Sequence, residues 1–189
     1  MVTKRTTLYG AVALLLIAAG LLLSGRVWLA EHTEHNPWAP LDLRDPVGWA
    51  TDRKLLALRE DAPACRAVLE RSDIAHDVLE PAGEGACRRE DRTRLTDYPL
   101  SPDTPPVTCP ASIALLLWER DVLEPAAQAI FGSEIARIEH LGAYSCRRLY
   151  GRDSGAWSEH ATANAIDIAG FVLADGTRIS VLRDWPGEG

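Results

Sequence analysis

The sequence predicts an α+β domain, a small antiparallel sheet with packed helices, preceded by one N-terminal transmembrane helix. Three observations predict it. An uncharged run fills Thr6 to Gly25. A capped helical pattern follows Thr108 and stops at Gly132. Two strand-like apolar runs then flank an Asp175-Gly176 turn. Helix followed by strand, loop and hairpin is the order of segregated α+β folds rather than of alternating α/β ones.

The N-terminal run follows Lys4 and Arg5 and has the centre Ala11-Val12-Ala13-Leu14-Leu15-Leu16-Ile17. Twenty helical residues span about 30 Å, the hydrocarbon thickness of a bilayer. With basic residues before it and Glu31 and Glu34 after it, the positive-inside bias keeps the N-terminus in the cytoplasm. The expected organisation is a cytoplasmic segment 1–7, a transmembrane anchor 8–25, a tether 26–54 and a domain 55–189. The protein is then single-pass in the inner (cytoplasmic) membrane, with its C-terminal domain in the periplasm or outside. The alternative is a cleaved signal peptide, although Leu23-Ser24-Gly25-Arg26 is a poor cleavage site. Trp28 suits the membrane surface. His32 and His35, beside Glu31 and Glu34, read as a solvated juxtamembrane stretch rather than a metal site.

Within the domain, Leu55 to Leu69 has a helical pattern interrupted near Pro63. Short strand-like pieces and the turn Pro81-Ala82-Gly83 occupy 72–100, and the Pro-rich stretch 101–106 reads as a rigid connector. Thr108 is placed to cap the next helix, with Pro110 in its first turn. Ile113, Leu116, Leu117 and Leu123 fall on one face. Pro125 kinks or restarts this helix and Gly132 ends it. Ile135 to Leu141 reads as a strand, Ala165 to Leu173 as another, and Arg178 to Leu182 as its hairpin return.

A net charge of -7 argues against a nucleic-acid binder, which needs a basic face. The four cysteines, Cys65, Cys87, Cys109 and Cys146, are expected as disulfides outside the cytoplasm. Of the three possible pairings the local one, Cys65 with Cys87 and Cys109 with Cys146, is expected. A zinc-thiolate site is disfavoured, since no Cys-x-x-Cys pair exists.

Asp167 is the chemically odd residue. It falls between Ile166 and Ile168 in an apolar run, where an unpaired carboxylate is costly. It needs a metal, an arginine such as Arg147 or Arg148, or several N–H donors. His160 lies seven residues earlier in a turn-like stretch, and an imidazole with a carboxylate suits zinc.

The segment Ser158-Glu159-His160-Ala161-Thr162-Ala163-Asn164-Ala165-Ile166-Asp167 resembles the Ser-x-His-x-x-Gly-x-Ala-x-Asp pattern of zinc D-alanyl-D-alanine carboxypeptidases and dipeptidases, with Ala163 in place of the glycine. The wider context is more similar still to the bacterial extensin-like C-terminal family. That family shows the Cys109-Pro110 helix start, Tyr144-Ser145-Cys146-Arg147, Ser158-Glu159-His160-Ala161, Asn164-Ala165-Ile166-Asp167 and a closing Asp184-Trp185. The resemblance covers roughly residues 60–185. It implies a zinc D-Ala-D-Ala peptidase-like fold, with His160 and Asp167 as two metal ligands. It also implies Arg147 as the arginine that steadies a developing oxyanion, and Ser158 as a group orienting substrate or the metal loop. Zinc would be the cofactor and peptidoglycan peptides the substrate.

A catalytic zinc site takes three protein ligands, an exchangeable water and a general base. In the peptidases a C-terminal His and a preceding acid complete it. No His follows His160 here, so the chain is expected to be incomplete at its C-terminus relative to those enzymes. His140 is a poor substitute, lying in a strand before the motif, and Glu159 is expected to point away from His160. The expectation is a zinc-dependent peptidase or amidase-like hydrolase when complete. The alternative is a non-catalytic cell-wall binding or structural module of the same fold.

Overall fold

The structure, a computed structural model, describes residues 2–184, with side chains from Tyr9 onward. Trp185 of the closing Asp-Trp pair therefore lies outside the described residues. Helix α1 runs from Val2 to Glu31. It extends past the expected end at Gly25, because Arg26-Val27-Trp28-Leu29-Ala30-Glu31 contains no breaker. Its stretch Tyr9–Glu31, 23 residues, is long and apolar enough to cross a membrane and is not buried against the rest of the chain.

After a 3-10 turn at Thr33–His35, helices α2 (Thr51–Ala57) and α3 (Ala62–Arg71) follow, joined by a 3-10 turn at Leu58–Glu60. The helical pattern is interrupted near Pro63, as expected, at Asp61, which is not helical. Pro63 lies in the first turn of α3, where its missing N–H costs nothing, and Asp61 caps that turn by accepting from the Ala64 N–H at 2.9 Å. Helix α4 (Cys109–Trp118) starts as expected, Thr108 Oγ1 accepting from the Ala111 N–H at 3.4 Å. A π-turn at Glu119–Leu123 then leads into α5 (Glu124–Phe131), closed by Gly132 at φ 65°. The widened turn sits where the Pro125 ring would otherwise clash with the carbonyl four residues back. It also splits the expected apolar face. Ile113 and Leu117 are buried with Leu41, Leu43, Cys65, Val68, Leu69 and Cys109, whereas Leu123 packs on a second cluster with Ala127, Ile135, Ile138 and Leu173. Leu41 and Leu43, in the stretch read as a tether, thus belong to the core.

Two sheets form. Strands β1 (His76–Val78) and β2 (Thr93–Leu95) pair antiparallel. The main sheet has the order β3-β4-β5-β6: Leu100–Ser101, Ile135–His140, Ile168–Leu173 and Arg178–Ser180. Strands β4, β5 and β6 are antiparallel neighbours, as expected. The edge strand β3 instead runs parallel to β4. It straddles the start of the predicted connector, and α4 and α5 supply the long crossover that parallel pairing needs. Register shifts in β4 let Ile135 and Ile138, three residues apart, both reach the core. The return strand is shorter than expected, giving way to a short helix α6 (Val181–Asp184).

The cysteine pairing differs from the local one. Cys65 bonds Cys109 and Cys87 bonds Cys146, with Cα separations of 6.0 and 5.5 Å, ordinary for disulfides. Tertiary packing decides this. Cys65 on α3 and Cys109 at the start of α4 are both fully buried where those helices meet. Cys87 lies instead on a separate 3-10 turn, Gly85–Cys87, that packs toward the turn carrying His160.

Candidate metal site

His160 and Asp167 are brought together. Ser158 begins a 3-10 turn over Glu159–Thr162, its Oγ accepting from the His160 N–H at 3.3 Å. That turn ends at Ala163, which takes the left-handed φ of 58°. The segment then runs out to β5. Asp167 lies just before that strand, its backbone exchanging hydrogen bonds with Leu141 (2.8 Å) and Gly142 (3.0 Å) beyond β4. Asp167 is therefore not a buried strand carboxylate: its side chain is 58% exposed. Nor does it pair with an arginine among the described residues. Arg148 lies over the Trp157 ring and donates to the Gly155 carbonyl.

The imidazole is oriented by a backbone group. His160 Nδ1 lies 2.9 Å from the Ala143 carbonyl oxygen. A carbonyl only accepts, so Nδ1 carries a proton. Nε2 then faces Asp167 Oδ1 at 3.2 Å, with the His160 side chain 13% exposed. Two donors on one tetrahedral zinc ion, at 2.0–2.1 Å each, stand about 3.3 Å apart. In the neutral ring Nε2 and Oδ1 are two lone-pair donors at about the separation of neighbouring zinc ligands. In the protonated ring the two form an ion pair. The donor set fits two zinc positions. Among the described residues no group of three or more His, Cys, Asp or Glu is placed to hold a metal, so the pair falls one ligand short of a catalytic site.

The other predicted residues sit as follows. Arg147 is exposed, and its guanidinium makes no hydrogen bond or ion pair among the described residues. Its carbonyl accepts from the Ser158 N–H at 3.1 Å, so its backbone borders the turn that carries His160. Ser158 is buried as the turn's cap. Glu159 is directed to Arg59 (3.0 Å) and Asn164. His140 Nε2 is engaged by the Asp103 carbonyl at 2.9 Å, on the far end of the connector. The Cys87–Cys146 disulfide anchors the strip that carries Arg147, and Ser145 N–H donates to the His160 carbonyl at 3.0 Å.

Two parts of this frame were given no role by the sequence. The Ala143 carbonyl that sets the His160 tautomer is backbone and leaves no residue pattern. Asn164 accepts from Thr108 Oγ1 at 2.5 Å and donates to Glu159, tying the cap of α4 to the turn that carries His160. Only its place in the Asn-Ala-Ile-Asp stretch marked it. An apolar cavity of about 420 Å³, lined by Leu55, Leu115, Trp118, Ile166 and Ile168 among others, adjoins this segment. Neither His160 nor Asp167 lines it.

A family model described as Extensin-like protein C-terminus matches residues 63–189. No curated protein and no solved structure matches the chain.

Proposed function

The chain belongs to the Extensin-like protein C-terminus family, and from that premise we propose an envelope protein, anchored by α1 in the inner membrane, whose outward-facing domain acts on peptidoglycan peptides with His160 and Asp167 as two ligands of a zinc ion. The observation that carries this reading is His160, held at Nδ1 by the Ala143 carbonyl, with Nε2 3.2 Å from Asp167 Oδ1. The Ser-x-His-x6-Asp spacing supports it. Zinc held there would supply a Lewis acid and a bound water of lowered pKa. The chain's own groups have separate tasks. The Ala143 carbonyl fixes the imidazole, as second-sphere acceptors do in metal sites. Ser158 caps the turn that presents His160. Arg147, planar, always charged and free of partners among the described residues, suits stabilisation of a developing oxyanion.

A second reading is favoured by one observation: no third ligand stands beside the pair among the described residues. The domain would then bind wall peptides without turning them over. Zinc affinity, measured by competition with a chromophoric chelator, tests the first reading. His160→Ala and Asp167→Asn are expected to lose at least tenfold, the cost of about 1.4 kcal/mol per ligand lost. Unchanged zinc content in His160→Ala refutes the metal site. Release of muropeptide fragments from purified peptidoglycan, abolished by chelation, separates hydrolase from binding module. Wall retention that survives chelation, with no fragments released, selects the module.

A further inference from the structure

The junction between α1 and the domain is a built structure. Trp28, in the last turn of the membrane-length helix, stacks on His32 at 4.4 Å and on His35 at 5.4 Å. His35 in turn stacks on Trp49 at 5.9 Å, its ring within 7° of parallel. The Trp49 N–H donates to His35 Nδ1 at 3.4 Å, so the stack is tied to the backbone that starts α2. The intervening Thr33–His35 turn is clamped from the domain side. Lys54 Nζ, buried, donates to the Thr33 carbonyl at 2.6 Å, and Thr33 Oγ1 donates to Asp45. Gly48 permits the close approach, because a Cβ there would collide with the Glu34 carbonyl and stand 2.8 Å from His35 Nδ1.

This junction holds two large indoles in the open. Trp38 is 79% exposed and Trp49 65%. Both belong to the segment immediately following the helix, and Trp49 is continuous, ring upon ring, with Trp28. A 23-residue helix is about 35 Å long, slightly more than the hydrocarbon core, so Trp28 falls at the hydrocarbon–headgroup boundary. Indole rings partition to that layer, apolar body inward and N–H toward water. The flanking Glu31 and Glu34 disfavour an anionic surface.

We propose that Trp28, Trp38 and Trp49 form one membrane-surface platform that seats the domain on the zwitterionic headgroup layer of the bilayer α1 crosses. The proposal rests on the reading of α1 as a membrane span. The site at His160 and Asp167 would then work at a set height above the bilayer, not at the end of a loose tether.

The test uses the full chain, labelled with 5-fluorotryptophan, in phosphatidylcholine nanodiscs, with each resonance assigned by a single Trp→Phe substitution. Broadening by a headgroup-proximal spin-labelled lipid is compared with broadening by a soluble gadolinium chelate. The expected result is that Trp28, Trp38 and Trp49 respond to the lipid label and are shielded from the chelate, with Trp157, on the domain surface, doing the reverse. Gly48→Ala is expected to move Trp49 toward the chelate while Trp28 stays with the lipid. If Trp38 and Trp49 respond as Trp157 does while Trp28 responds to lipid, the platform is overturned and the anchor stands. If Trp28 also ignores the lipid label, the anchor reading itself falls, and the platform with it.

Discussion

The two disulfides predict a ranking in which loop entropy and packing disagree. Cys65 and Cys109 are 44 residues apart, Cys87 and Cys146 59 apart. On the chain-entropy account each crosslink stabilises by about 4 kcal/mol, the longer loop by a few tenths more. Loop length alone therefore ranks Cys87–Cys146 as the costlier bond to lose. Packing reverses the order. Cys65 and Cys109 are 0% exposed between α3 and α4. Serines there would bury two hydroxyls among apolar groups, at about 1–3 kcal/mol each. At the other bond Cys87 is also buried, but Cys146 is exposed, so water satisfies one of the two serines. The double variant Cys65→Ser with Cys109→Ser, burying one hydroxyl more, should lose about 1–3 kcal/mol more than Cys87→Ser with Cys146→Ser. That brings it close to the whole stability of an ordinary domain. Urea unfolding of the full chain in detergent, followed by near-ultraviolet circular dichroism, reads the difference. Equal losses, or a greater loss in the Cys87 and Cys146 variant, would refute the packing argument. A non-reduced peptide joining Cys65 to Cys87 would refute the pairing itself.

Other predictions concern groups whose surroundings oppose their preferred state. Burial raises the Glu119 carboxyl above its ordinary 4.5, outweighing the Tyr98 hydroxyl that lowers it. The unfolded glutamate ionises first as pH rises. Stability is therefore full below 4.5 and falls as pH climbs through the folded value. Glu119→Gln should flatten that slope and be the more stable protein at neutral pH; parallel urea midpoints of the two proteins from pH 4 to 8 would contradict it. Ala163→Gly relieves a left-handed backbone worth about 1–2 kcal/mol, against a buried methyl worth about 0.8 and an unfolded-state entropy of about 0.4–1. These terms nearly cancel, so a thermal shift beyond a few degrees in either direction would show that the turn presenting His160 is held by something else.

Local signals were legible in the sequence. Thr108 caps α4, Gly132 closes α5, and Asp175-Gly176 turns β5 into β6, each through chemistry confined to a few neighbouring residues. The convergence of His160 and Asp167 was also legible, because a turn entering a strand keeps them close in the chain. What failed depends on partners remote in sequence. Cys65 meets Cys109 because two helices pack, not because the residues are near. Leu41 and Leu43 look like linker residues until α3 and α4 offer them a core. Asp167 between two isoleucines looked buried, yet its side chain faces outward while Ile166 and Ile168 line the neighbouring cavity.

The disulfides also cross: Cys87 lies inside the loop closed by Cys65 and Cys109, and Cys146 lies outside it. A single proteolytic nick anywhere between Cys65 and Cys146 therefore leaves one covalent molecule. Cleavage before Cys87 is bridged by the first bond, cleavage after Cys109 by the second, and cleavage between them by both. Sequential pairing would have left a severable hinge between Cys87 and Cys109. With the crossed arrangement, a chain nicked between Cys65 and Cys146 keeps His160 and Asp167 joined to α1 until a reductant reaches it.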